Sequence, residues 1–206
     1  RSTANKAVVA AYLKEFTKTA YENGVSFEIG DEKYFLPLNG THNTFNAAMA
    51  VVVAKLFKMD YMSINKGLEA LEISAMRFQK IEKGEIVYIN DAYNASPISM
   101  DYSLETFSNL FNDKIKIAAL GDMLELGEKE IEYHRHVINK AISLNIDKIF
   151  LYGQRMKEAL GALEDKKRVF HFDSKADIAK QIESISGSRA VLLKGSRGMR
   201  MEEIIK

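Results

Sequence analysis

Along the second half of the chain, short apolar runs alternate with longer stretches whose apolar positions recur every three or four residues. The short runs read as strands at 86–90, 115–120, 148–152, 169–172 and 190–193. The stretches between them read as helices near 97–111, 128–144, 156–163 and 175–185. In the first of these helices Met100, Leu104, Phe107 and Phe111 fall at i, i+4, i+7 and i+11, a stripe that faces a sheet. Alternation of this kind predicts a mostly parallel sheet covered on both faces, an α/β, Rossmann-like fold.

The first half follows a different rhythm. Val8, Tyr12 and Phe16 share a helical face, yet the run ends at Asn23-Gly24, a strong hairpin signal, so strands are the favoured reading there. Val25, Phe27 and Ile29 then alternate with polar residues, and a turn at Gly30-Asp31 leads into a short strand at 34–38. Thr41 is placed to cap an Ala/Val/Met-rich helix running to about Lys58, apolar nearly all round and therefore expected to be buried. Ser63 is placed to cap another helix through Leu71. The polar stretch 76–84 is the expected domain boundary, with domains at 1–76 and 77–206.

Composition narrows the function classes. At 206 residues and 47% hydrophobic the chain has enough apolar surface for a sizeable core. Lys plus Arg total 29 against 28 for Asp plus Glu, which argues against a nucleic-acid partner. The absence of cysteine removes disulfides, thiolate nucleophiles and Cys-ligated zinc. No run is long and apolar enough to insert in a membrane, and Arg1-Ser2-Thr3 is neither an initiator start nor a signal peptide. The expectation is a cytoplasmic protein cut from a longer chain.

In open parallel sheets ligands sit beyond the C-terminal strand ends, so the residues just after each strand carry the chemistry. Asp91-Ala92-Tyr93-Asn94-Ala95-Ser96-Pro97 places a carboxylate where it can accept from ribose hydroxyls, though on pattern alone the plainer reading, a capped strand-to-helix loop, is favoured. His42, Asn43 and Asn46 open the apolar helix; they can present amides to a purine edge or satisfy helix-terminal backbone groups. Asp122 and Glu125 in the loop 121–127 can bind an amine, a metal or a basic partner, or simply feed the acidic first turn of the next helix. A buried, hydrogen-bonded His134 is favoured over a catalytic one. Lys194, Ser196 and Arg197 sit in a Lys-Gly-Ser-Arg-Gly loop able to receive a carboxylate or phosphate. No G-x-x-x-x-G-K-[ST] phosphate loop, G-x-G-x-x-G fingerprint or H-E-x-x-H motif occurs.

The order and spacing of these modest signals resemble the Mur ligases throughout: Gly-Thr-His-Asn-x-x-Asn-Ala at 40–47, Arg77, Asp-Ala-Tyr-Asn-Ala-Ser-Pro at 91–97, Gly-Asp-Met-Leu-Glu-Leu-Gly at 121–127, His134 and Lys-Gly-Ser-Arg-Gly at 194–198. The stretches at 91–97 and 121–127 look most like the members that add D-alanyl-D-alanine to a UDP-linked muramoyl tripeptide. The resemblance implies ATP and Mg2+ as cofactors and an acyl-phosphate mechanism. It implies an adenine pocket bordered by His42, Asn43 and Asn46, phosphates reached by Arg77 and ribose hydroxyls held by Asp91. It also implies a dipeptide site lined by Asn94, Asp122, Glu125, Lys194, Ser196 and Arg197. Residues 1–76 would be the tail of the ATP-binding central domain and 77–206 the C-terminal ligase domain.

Two positions depart from the family pattern. Asn90 stands where the family often has aspartate, and Ser96 where it often has asparagine. The resemblance also implies that the phosphate-loop lysine and most metal contacts come from earlier segments of the same chain. The 206 residues alone are therefore expected to be inactive, with no catalytic residue assignable and no metal ligand among them. A monomer is expected. The competing readings are a related Mur or folylpolyglutamate-type ligase with another amine acceptor, and a non-catalytic Rossmann-like binding module.

Overall fold

The computed structural model describes residues 17–21, 24–38, 41–71, 75–163 and 166–205. The chain divides into two compact units, residues 1–73 and 74–206.

In the first unit β1 (Thr17–Tyr21), β2 (Gly24–Ile29) and β3 (Glu32–Leu36) form an antiparallel sheet in that order. The period-two pattern of the sequence becomes its two faces: Val25, Phe27 and Ile29 are buried with Tyr34 and Leu36, while Glu28 points to solvent. Helices α1 (Thr41–Leu56) and α2 (Tyr61–Glu69) cover that apolar face with Ala47, Ala48, Val51, Val52, Ile64 and Leu68. Asp60, rather than Ser63, caps α2, accepting from the Ser63 amide at 2.9 Å. Val8, Tyr12, Phe16 and Asn23 lie outside the described residues.

Burial of α1 all round is not what the structure shows. Phe45, Val53 and Leu56 are 48%, 46% and 49% exposed, while Ala47, Ala48, Val51 and Val52 are the α1 residues packed in the core of this unit.

The second unit is a six-stranded sheet. β4 (Gln79–Lys83), β5 (Ile86–Asn90), β9 (Arg189–Lys194), β6 (Ile115–Gly121), β7 (Lys148–Tyr152) and β8 (Val169–Phe172) lie side by side in that order. All neighbours are parallel except β4, which pairs antiparallel with β5. Helices α3 (Pro97–Asn109), α4 (Glu130–Ser143) and α5 (Gln154–Gly161) cover one face, where Met100, Leu104, Phe107, Ile138 and Met156 meet Leu120, Leu151 and Leu192. Helix α6 (Lys175–Ser184) and a C-terminal 3-10 turn at Met201–Ile204 cover the other through Ile178, Ile182, Met201 and Ile204 against Ile117, Phe150, Val191 and Leu193. Burial on both faces explains why β9 and most of β6 read as unbroken apolar runs.

Strand β4 was not expected; its sequence read as a polar boundary. Its position at the sheet edge accounts for this. Lys80, Glu82 and Lys83 face solvent, and charge on an edge discourages pairing with a further chain. Phe111, the last residue of the predicted stripe, lies beyond α3 at φ 55°, its ring still 6.1 Å from that of Phe107.

One polar clamp ties sheet to helix in the first unit. Lys55 of α1 pairs with Glu32 of β3, and the Tyr34 hydroxyl donates to the same carboxylate. The Lys55 hydrogen bond, then that of Tyr34, holds the Glu32 carboxyl below its ordinary range. A depressed carboxylate contributes stability above its unfolded pKa and loses it as pH falls through the folded value. Thermal unfolding of wild type and Glu32→Gln is therefore expected to differ at pH 7 and to converge on acidification below about pH 4; a constant offset at every pH would contradict the clamp.

Candidate functional site

Strand β9 lies between β5 and β6, although it is last in sequence. The chain leaving β5 and β6 turns onto the α3–α4 face, while the chain leaving β9 turns onto the α6 face. Connections that part on either side of one strand open a crevice at its C-terminal end. The loops following β5, β6 and β9 meet there. Their approach is close: a Cβ on Gly195 would lie 3.1 Å from the Gly121 Cα and 2.9 Å from the Met201 side chain.

The first cluster is centred on Asp91. Its Oδ1 accepts from the Phe78 amide at 3.0 Å, and its Oδ2 accepts from the Ser103 hydroxyl at 2.5 Å and the Lys194 ammonium at 2.7 Å. Lys194 also donates to the Asn94 carbonyl at 3.0 Å. The Lys194 and Asp91 side chains are only 4% and 13% exposed, so the ion pair is largely shut off from water. The loop between them is rigid for local reasons. Asn90 Oδ1 accepts from the Ala92 amide, Asn94 Oδ1 from the Ala95 amide, and Ser96 with Ser99 forms a capping box ahead of Pro97.

Beside this cluster runs a short strap. Met76 and Phe78 both occupy the left-handed region, at φ 64° and 56°, and Arg77 stands between them. The Met76 carbonyl accepts from the Tyr93 amide at 3.1 Å, and the Arg77 guanidinium lies 4.6 Å from the centre of the exposed Tyr93 ring. Arg77 and Asp91, expected to act together, are thus held by adjoining segments.

The second cluster is centred on Asp122, whose side chain is 4% exposed. Its oxygens accept from the Met156 and Arg155 amides at 2.9 and 3.2 Å, anchoring the start of α5. Gly153 is required for that approach: at φ 112°, a Cβ there would lie 2.4 Å from the carboxylate. The Asp122 carbonyl accepts from the Ser196 amide at 3.0 Å, and Ser196 Oγ accepts from the Leu124 amide at 2.9 Å, joining the loops after β6 and β9. Arg155 pairs with Glu130 at 2.5 Å, which raises the guanidinium pKa further.

His134 is fully buried beneath the 121–127 loop. Its Nε2 accepts from the Met123 amide at 2.8 Å, and its Nδ1–H donates to the Glu130 carbonyl at 2.6 Å. That bonding is structural. Glu125 is exposed at φ 63°, and Arg197 is half-exposed and paired with Glu202 at 2.5 Å.

Asn43 and Asn46 lie three residues apart on α1 in the first unit, half-buried and exposed respectively; the His42 side chain lies outside the described residues. Ser103 and the Phe78 amide were not singled out from sequence, and Tyr93 entered only as part of the 91–97 motif, without its partner Arg77. Only Ser103 left a signal, as a hydroxyl beside the apolar stripe of Met100, Leu104 and Phe107. Among the described residues no group of three or more His, Asp or Glu side chains could hold a metal ion. No described helix is long and apolar enough to cross a membrane.

Two stability measurements check these clusters. His134→Ala leaves the Met123 N–H buried without a partner and is expected to cost about 2–4 kcal/mol in denaturant unfolding. Lys194→Met strands the Asp91 charge and is expected to cost about 3–5 kcal/mol. Adding Asp91→Asn to Lys194→Met should recover much of that loss; simple additivity would mean that the two charges are not coupled.

The profile described as Mur ligase, glutamate ligase domain, matches residues 76–197. The UDP-N-acetylmuramoyl-tripeptide–D-alanyl-D-alanine ligase of Bacillus subtilis is 36% identical over 192 residues, which cover 90% of this chain and 42% of the relative. MurF from Acinetobacter baumannii superposes with a TM-score of 0.81 at 27% identity, over 93% of this chain and 44% of that one. MurF of Thermotoga maritima, solved in complex with ADP, shares the fold at a TM-score of 0.76 and 23% identity, over 92% of this chain and 44% of that one. The chain therefore spans about two fifths of the length of the relatives it matches. With the profile spanning the crevice loops from Arg77 to Arg197, the chain belongs to the Mur ligase family.

Proposed function

We propose that this chain forms the C-terminal part of an ATP-dependent ligase that joins D-alanyl-D-alanine to a UDP-linked muramoyl tripeptide, a cytoplasmic and monomeric enzyme of peptidoglycan precursor synthesis. The observation that carries the proposal is the 36% identity, over nine tenths of this chain, to a ligase named for that reaction. In this reading residues 1–76 end the ATP-binding central domain and 77–206 form the ligase domain.

The chemistry is acyl transfer. A carboxylate of the tripeptide attacks the γ-phosphorus of ATP, forming an acyl phosphate and releasing ADP. The dipeptide amine then attacks the acyl carbon, and phosphate leaves as the peptide bond forms. Two anions meet in the first step, so cations must neutralise charge there. Mg2+, when bound, supplies part of that neutralisation. In this reading most of the metal contacts come from earlier segments of the same enzyme.

The chain's own residues bind and orient. A carboxylate has about four acceptor directions, and the described contacts of Asp91 occupy three of them, leaving one on Oδ1 for a ribose hydroxyl. Arg77 faces the phosphates, and His42, Asn43 and Asn46 border the adenine. Asn94, Glu125, Ser196 and Arg197 line the path of the dipeptide. Asp122 and Lys194, both buried and fully engaged, support that site by fixing its loops.

The test is phosphate release by the full-length enzyme given ATP, Mg2+ and UDP-linked muramoyl tripeptide, with D-alanyl-D-alanine or single amino acids as acceptor. Turnover with the dipeptide alone is expected. Turnover with a single amino acid would reassign the acceptor, and none with any acceptor would favour a binding module. The 206 residues alone, which contain no G-x-x-x-x-G-K-[ST] loop, are expected to release no phosphate.

A further inference from the structure

The cations around the crevice are not equivalent. Lys194 is held by Asp91, Arg155 by Glu130 and Arg197 by Glu202. Each can receive an anionic ligand only by giving up a carboxylate at 2.5–2.7 Å. Arg77 differs: among the described residues its recorded side-chain neighbour is a ring, that of Tyr93, with the guanidinium 4.6 Å from the centroid. An aromatic face attracts a guanidinium without neutralising it, so the positive charge stays available.

The backbone around this pair is fixed from several sides. The Tyr93 amide donates to the Met76 carbonyl, Gln79 Oε1 accepts from the Met76 amide at 3.2 Å, and the Phe78 amide donates to Asp91. Both residues flanking Arg77 are in the left-handed region, which non-glycine residues occupy only under such constraint. The Arg77 Cα is therefore well defined, whereas its long side chain sits at an exposed position where rotamer freedom is large. The Tyr93 ring removes much of that freedom. At 47% exposure it buries too little surface to count chiefly as core.

We infer that Tyr93 is a positioning residue: its ring holds the Arg77 guanidinium, undischarged, in the orientation that receives the nucleotide phosphates. The inference rests on the proposed ligase reaction and adds a residue to it. The hydroxyl plays no part, so phenylalanine suffices and an aliphatic side chain does not.

The test is a double-mutant cycle in the full-length enzyme with Tyr93→Leu, Arg77→Ala and both together, plus Tyr93→Phe. An exposed cation–π contact corresponds to about a two- to fivefold change in an equilibrium constant. Tyr93→Leu is expected to raise KM for ATP by about that factor, leaving KM for the dipeptide and the melting temperature unchanged. Tyr93→Phe should behave as wild type, and Tyr93→Leu should have no further effect once Arg77 is alanine. An equal effect in the Arg77→Ala background, an effect on the dipeptide KM instead, or a failure of Tyr93→Phe to restore binding would each overturn the inference.

If the wild-type enzyme turns over with no acceptor, the ligase reading fails by itself. Positioning is then judged by arginine-selective NMR. Arg77 side-chain protons are expected to be shifted upfield by the Tyr93 ring current in wild type and Tyr93→Phe, and to lose that shift in Tyr93→Leu. The absence of any shift in the wild type would refute the placement.

Discussion

The architecture of the crevice depends on one ion pair kept largely out of water. Asp91 follows β5 and Lys194 ends β9, and together they join neighbouring parallel strands at the crevice end of the sheet. Removing two ions from solvent costs several kcal/mol each, a debt that attraction between them offsets only when their remaining hydrogen-bonding capacity is also met. Here it is met by the Phe78 amide, the Ser103 hydroxyl and the Asn94 carbonyl. Each belongs to a different segment: the strap before β4, helix α3 and the loop between. A change at any of them alters the balance that keeps the charges in place.

Asp122 solves a related problem differently. Among the described residues it has no lysine partner; its carboxylate takes the unpaired amides at the start of α5, with Arg155 3.8 Å away. Serine and histidine side chains then fasten the loops after β6 and β9 through backbone amides. Neutral bonds to main chain fix a loop's path while leaving its outward side chains unspent. Glu125 and Arg197 are exposed, whereas Asp122, Met123 and Ser196 of the same loops are buried.

Most of the parallel sheet is legible in the sequence because its strands are buried on two faces and its helices on one, so each element carries its own period. The edges of this legibility are physical. β4 lies at the sheet margin and shows mainly charge; α1 carries apolar residues on every side, so its sequence does not mark which side packs against the sheet. The site was legible by loop, not by contact. Spacing drew attention to Asp91, Asp122, Lys194 and Ser196, but it carries no information that Asp122 turns inward to a helix while Glu125 turns outward. Ser103 and Tyr93 depend on pairings across 12 and 16 residues that no local pattern encodes.

Strand β4 also acts as a ruler. It runs against β5 with Gln79 opposite Asn90 and Lys83 opposite Ile86, so the chain enters this unit at the crevice end of the sheet and descends from there. Each antiparallel residue advances about 3.4 Å, and the number of residues between the turn at Gly84 and the crevice therefore sets the height at which the strap emerges. One residue more or fewer would also exchange the inward and outward sides of the strand. The height at which Arg77 stands above the sheet is in this way written into the length of an edge strand.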